Sequence, residues 1–80
     1  MNIKIIAFGI ARDIIGGNQA TLDCNKGTTV SQAFVHLTEK YPDFEKLSSL
    51  KMAINEEYVP NDFVISEGDE LVLIPPVSGG

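Results

Sequence analysis

The chain has 80 residues, 44% of them apolar, one cysteine and a net charge of −5. A chain this short makes one domain and buries only about 60–65% of the surface its unfolded form exposes, so its core leaves no room for an enclosed active site. Nine of the eleven acidic residues lie between Glu39 and Glu70 and no Lys/Arg cluster exists, which excludes a basic nucleic-acid footprint. No apolar run approaches the roughly 18 residues that a membrane span needs. Met1 leads straight into a strand pattern without a charged leader, and the lone Cys24 has no internal disulfide partner. The expectation is a cytoplasmic protein.

Ile3–Phe8 alternates Ile3, Ile5 and Ala7 with Lys4, Ile6 and Phe8, and predicts a strand. Gly9 to Gly16 reads as a short turn or single helical turn carrying Arg12 and Asp13. Gly16-Gly17-Asn18 is a breaker. Gln19–Cys24 is a second strand with Ala20, Leu22 and Cys24 on one side, and its closeness to the first suggests a hairpin. Thr29-Val30-Ser31-Gln32 is a capping-box start, and Val30, Ala33, Phe34, Leu37 and Tyr41 then form one helical stripe. Pro42 stops that helix. Asp43 to Leu50 reads as a loop with one short helical turn. Lys51–Asn55 is a third strand, Asn55-Glu56-Glu57 a turn, and Tyr58-Val59 a short edge strand closed by Pro60. Ser66-Glu67-Gly68-Asp69 is a turn before the last strand, Glu70–Ile74, which Pro75-Pro76 ends. The order implies an α+β fold: a mixed sheet of four to five strands packed on one main helix. Residues 1–76 form the domain and residues 77–80 a flexible tail.

One helix covers one face of a sheet. If Ile3, Ile5, Ala7, Leu71 and Leu73 face it, the outward set is Lys4, Ile6 and Phe8 with Glu70, Val72 and Ile74. Parallel pairing of the first and last strands sets Lys4 near Glu70, Ile6 near Val72 and Phe8 near Ile74. That face begins charged and ends apolar where the tail leaves, which reads as a docking surface; the competing reading buries both strands under a loop.

The tail is Pro75-Pro76-Val77-Ser78-Gly79-Gly80. Two prolines remove two backbone donors and set an extended exit. Val77 to Gly80 can span about 13 Å. With no Cβ on Gly79 or Gly80, the terminal carboxylate fits a channel too narrow for a side chain. Adenylylation would make that carboxylate a mixed anhydride, and a sulfur donor displacing AMP would leave a thiocarboxylate, a soft nucleophile ionised at neutral pH. The chain has no phosphate-cradling loop of its own, since Gly16-Gly17 lacks the required length and the Lys-Ser/Thr pair. ATP would therefore be used by an activating partner, and no cofactor or metal is expected on this chain.

Four segments resemble the small, sulfur-carrier subunit of molybdopterin synthase, a ubiquitin-like sulfur-carrier family. They are Phe8 with Arg12-Asp13-Ile14-Ile15-Gly16, Met52-Ala53-Ile54-Asn55, Glu67-Gly68-Asp69-Glu70, and the Pro75 to Gly80 tail. Ala7, Gly9 and Asp13 depart from the family's usual residues. The resemblance implies a β-grasp (ubiquitin-like) fold. It also implies modification of Gly80, as glycyl adenylate and then 1-thioglycine, by a ubiquitin-activating-like adenylyltransferase. The tail (Pro75, Pro76, Val77, Ser78, Gly79) would thread into the large subunit of molybdopterin synthase, usually in a heterotetramer. Gly80 would there give sulfur to a cyclic pyranopterin precursor in molybdenum cofactor biosynthesis, making this chain a non-catalytic sulfur-donor subunit of a sulfurtransferase. Phe8, Tyr58 and Ile74 would contact the large subunit. The alternatives are a sulfur carrier for thiamin thiazole or tRNA thiolation, a ubiquitin-like protein modifier, or a binding module with an inert tail. The Phe8-to-Gly16 segment favours molybdopterin over thiazole.

The other chemistry-bearing residues read as structural. Cys24 is a buried strand cysteine rather than a sulfur acceptor. His36 is a solvated residue on the helix flank, and Glu56-Glu57 is a solvated turn. Arg12-Asp13 is expected to form a local ion pair in preference to a partner contact.

Overall fold

The computed structural model describes residues 1–47 and 50–75. Among these, β1 (Asn2–Ala7), α1 (Gly9–Ile15), β2 (Gln19–Asp23), α2 (Val30–Lys40), β3 (Lys51–Ile54), β4 (Glu57–Tyr58) and β5 (Glu70–Ile74) follow in order, with a 3₁₀ turn over Pro42–Lys46. The five strands form one sheet in the order β2-β1-β5-β3-β4. Only the central β1–β5 pair is parallel; β1–β2, β3–β5 and β3–β4 are antiparallel.

Alternation in β1 and β5 decides which face meets the helix. Ile3, Ile5 and Ala7 of β1 and Leu71 and Leu73 of β5 are buried in a cluster with Val30, Ala33 and Leu37 of α2. Each large aliphatic side chain so buried contributes about 1.5–3 kcal/mol. The parallel register pairs Lys4 with Glu70, Ile6 with Val72 and Ala7 with Leu73, as the alternation predicts.

The start of α2 is set locally. Gln32 N–H donates to Thr29 Oγ1 at 3.2 Å, and Thr29 N–H donates to Gln32 Oε1 at 3.0 Å. This reciprocal pair satisfies two donors that the helix itself leaves unpaired. At the other end Tyr41 N–H closes on the Leu37 carbonyl at 2.8 Å, and Pro42 opens the 3₁₀ turn.

Phe44 is a core residue that the loop reading of its segment did not single out. Its ring is fully buried, edge-on to Phe34 (70° between planes) and to Tyr41 (83°), with centroids 6.2 Å apart in both cases. It plugs the core at the C-terminal end of α2. Aromatic edge contacts of this kind add about 0.5–1.5 kcal/mol beyond the area buried.

β2 and β3 each stop one residue short of the sequence expectation, at Asp23 and Ile54, and three further boundaries differ from it. Phe8 is not in the strand: it is the extended residue that caps α1, its carbonyl accepting from Ala11 and Arg12 N–H. The Gly9–Gly16 segment is a seven-residue helix, longer than a single turn, because Ala11 reaches the core from its first turn. Gly16, at φ 77, ends it in the left-handed conformation, and Gly16 and Gly17 both donate to the Arg12 carbonyl. The short edge strand is Glu57–Tyr58, one residue earlier than expected, because the Asn55-Glu56 turn is tight, with φ 50 and 74 at those residues.

Asn55 ties this turn to β5. Its backbone N–H donates to the Glu70 carbonyl, and Glu70 N–H donates to Asn55 Oδ1, both at 3.0 Å. Asn55 Nδ2 donates to Asp69 Oδ1 at 3.0 Å, and Asp69 Oδ2 accepts from Ser66 N–H at 2.8 Å. The Asn55 side chain thus fastens the β3–β4 turn to the start of β5.

Candidate functional site

Cross-strand neighbours share a sheet face, so the register maps the face opposite α2. One row crosses all five strands: Gln19, Ile6, Val72, Ala53 and Tyr58. The row towards the strand starts holds Thr21, Lys4 and Glu70. The row towards the exit of β5 holds Ile74 and Lys51. Phe8 lies one residue past the last paired residue of β1, on the same side of the pleat as Ile6.

The outer face is therefore polar at one end and, apart from the exposed Lys51 on β3, apolar at the other. At the polar end Lys4 Nζ lies 3.7 Å from Glu70 Oε2, both side chains about half exposed. Such a solvated pair contributes under about 1 kcal/mol. At the apolar end Ile6, Val72 and Ile74 are half-buried, Phe8 is 53% exposed and Tyr58 is 68% exposed. Ala53 is buried yet belongs to no part of the core cluster; its methyl group sits low between taller neighbours on this face. Ile10, in the first turn of α1 beside Phe8, is also exposed. The face is uncovered at Phe8 and partly covered at Ile74, so among the described residues no loop buries the central strands from this side.

Of the tail, Pro75 is described and half-buried; Pro76, Val77, Ser78, Gly79 and Gly80 lie outside the described residues. Pro75 leaves β5 against the start of α1. A Cβ built on Gly9 would lie 2.9 Å from Pro75 Cγ. The site thus joins Phe8, Ile74 and Pro75 at one end of the sheet, with Tyr58 at its β4 edge. Sequence reasoning found the first three together but missed Ala53 and the Gly9–Pro75 contact. The cross-strand row that brings Ala53 beside Tyr58 depends on a register that no local pattern carries.

The remaining candidates are structural. Cys24 is buried, and burial, with Asp23 adding, pushes its thiol above the ordinary range. A protonated thiol is a poor nucleophile. His36 is exposed, with Nδ1 3.6 Å from Glu39 Oε1. Glu56 lies in the turn and Glu57 opens β4, both exposed, and no metal-holding cluster exists among the described residues. The expected Arg12–Asp13 ion pair does not form: no carboxylate of the described residues comes within 4.0 Å of Arg12. Both are exposed on α1, where successive side chains point about 100° apart. No described helix is long and apolar enough to cross a membrane.

A mixed five-stranded sheet gripping one main helix, with the first and last strands parallel at its centre, defines a ubiquitin-like β-grasp protein. The chain belongs to the ThiS family, whose profile matches residues 5–80. It is 36% identical over 81 residues to the molybdopterin synthase sulfur carrier subunit of Arabidopsis thaliana, covering all of this chain and 84% of that one. Among solved structures it is similar to SAMP1 from Haloferax volcanii, with a TM-score of 0.88 and 25% identity over the whole of both chains. It is also similar to a chain in the complex of subunits 1 and 2 of the molybdopterin-converting factor from Helicobacter pylori, with a TM-score of 0.70 and 25% identity over the whole of both chains.

Proposed function

We propose that this chain is the sulfur-carrier subunit of a molybdopterin synthase and that the Gly80 carboxylate is its working group. The observation that carries the reading is the open apolar end of the outer face, Phe8, Ile74, Val72 and Tyr58, placed where β5 hands the chain to a Gly-Gly terminus. The name of the Arabidopsis relative and the two-subunit complex of the Helicobacter neighbour support it.

The chemistry divides between this chain and its partners. A ubiquitin-activating-like adenylyltransferase would bind the outer face and present ATP. A Gly80 carboxylate oxygen attacks the α-phosphorus and pyrophosphate leaves, giving the acyl adenylate. A sulfide-equivalent donor then displaces AMP and leaves the thiocarboxylate. The large synthase subunit would dock on the same face, with Phe8, Ile74 and Tyr58 as its contacts. Pro75 to Gly79 would thread into its pocket, and sulfur passes to the cyclic pyranopterin precursor. This chain supplies position and the sulfur atom; the catalytic groups belong to the partner.

Co-expression with a cognate activating enzyme, followed by intact mass measurement, tests the reading. The expected result is the gain of one oxygen-to-sulfur exchange, abolished by deleting Gly80. An unchanged mass with a demonstrably active enzyme would identify an inert binding module. The likeness to SAMP1, a name that stands for small archaeal modifier protein 1, motivates a second reading, in which the same acyl adenylate is passed to a lysine amine as a protein modifier. A Gly80–lysine isopeptide recovered by proteolysis, with no thiocarboxylate, would select it.

A further inference from the structure

Pro75 is the hinge between the body and the tail, and it cannot be held as strand residues are held. Proline has no N–H, so the last donor of β5 is at Ile74. The direction in which the chain leaves the sheet must then be set by what the pyrrolidine ring rests on. The ring rests on Gly9. A Cβ added there would lie 2.9 Å from Pro75 Cγ and 3.7 Å from Pro75 Cβ. Real side chains essentially never approach at the first of these distances. The ring cannot swing aside freely, because its atoms include the Pro75 backbone nitrogen and Cα.

Gly9 is itself held in place. It has φ 57, the left-handed region that disfavours side chains. The residues on either side are fixed: the Phe8 carbonyl accepts from Ala11 and Arg12, Ala7 N–H donates to the Asn18 carbonyl at 3.0 Å, and Ala11 is buried in the core. At the far end of α1, Gly16 and Gly17 cap the Arg12 carbonyl. α1 is therefore a short platform fastened at both ends, with a bare backbone patch at its first residue.

We infer that Gly9 is a positioning residue for the tail: its missing Cβ forms the seat of Pro75 and so sets where and in what direction the reactive terminus leaves the body. The functional half of this statement rests on the sulfur-carrier reading; the geometric half does not. A misdirected tail would have to be reoriented each time a partner captures it. That cost falls on capture rather than on the chemical step.

The two halves are tested separately on the full chain. In a weakly aligned sample, the residual dipolar coupling of the Cα–Hα bond at position 75 should change in Gly9→Ala while couplings within β1 and β5 stay as in the parent protein. Pro75→Ala, which leaves the Gly9 backbone alone, should change it too and serves if Gly9→Ala does not fold. A position-75 coupling equal to the parent's in the variants that fold overturns the inference. In adenylylation assays with the cognate enzyme, Gly9→Ala should raise KM for the carrier about tenfold, equivalent to about 1.4 kcal/mol, with kcat within about twofold. In a Pro75→Ala background the same substitution should have no further effect, because the clash is gone. A KM effect that persists there would come from a distorted α1 and would overturn the positioning role. If the parent chain is never adenylylated, the sulfur-carrier reading falls, and the dipolar couplings still decide the Gly9–Pro75 seat.

Discussion

Two phenylalanines of this chain should respond to the same truncation in opposite ways. Phe44 is fully buried between Phe34 and Tyr41, whereas Phe8 is 53% exposed on the outer face. Phe44→Ala loses both the transfer free energy of the ring and the contacts around the cavity it leaves, about 3–5 kcal/mol. An 80-residue domain has about 4–12 kcal/mol in all, so this loss removes from about a quarter to all of it and should move the urea midpoint far down. Phe8→Ala opens onto solvent and leaves no cavity, so its loss should be about 1–2 kcal/mol. The order reverses for docking. An aromatic side chain can bury about 200 Å², so the exposed half of Phe8 offers about 100 Å² to a partner, worth about 2.5 kcal/mol or a 60-fold change in Kd. Urea unfolding of both variants, with titration of Phe8→Ala against the purified large subunit, measures each quantity. Equal losses of stability in the two variants would mean that Phe8 is core and the outer face is not free. Undiminished binding by Phe8→Ala would remove it from the interface.

Cys24 supplies a pH prediction. Its folded-state thiol is raised by burial, so above the ordinary thiol range the unfolded chain releases a proton that the folded chain retains. Stability should therefore be unaffected by this group at neutral pH and should fall as pH rises past about 8.5. Cys24→Ala should flatten that alkaline slope, and an unchanged slope would assign it to other groups. Asn55→Ala removes the acceptor for Glu70 N–H and the donor to Asp69, and places a Cβ-bearing residue without a compensating bond at φ 50. The expected loss is about 2–3 kcal/mol by thermal or urea unfolding. A loss below about 0.5 kcal/mol would show that the turn holds without this clasp.

The strands and α2 could be read locally because their signals are local. Alternation in Ile3–Ala7 and Glu70–Ile74, the Thr29–Gln32 capping box and the Pro42 stop each act within a few residues. The pairing of Lys4 with Glu70 was legible as well, since both strands carry one buried face and a slip of one residue would turn it outward. Phe44 was not legible: a single aromatic in a polar stretch has no period, and its burial depends on where α2 ends relative to the sheet. Nor was Ala53, whose burial comes from taller neighbours that arrive from β4 and β5.

The same division runs through the candidate site. The amino-acid order by itself determined that two prolines are followed closely by a Gly79-Gly80 pair without side chains, because that is covalent chemistry and needs no fold. Only the tertiary structure decided that Phe8 caps a helix on the open face and that the ring of Pro75 rests on the bare backbone of Gly9. Those residues stand 66 positions apart (75 − 9). They meet because β1 and β5 run parallel and end together, an arrangement fixed by burying two hydrophobic strands under one helix.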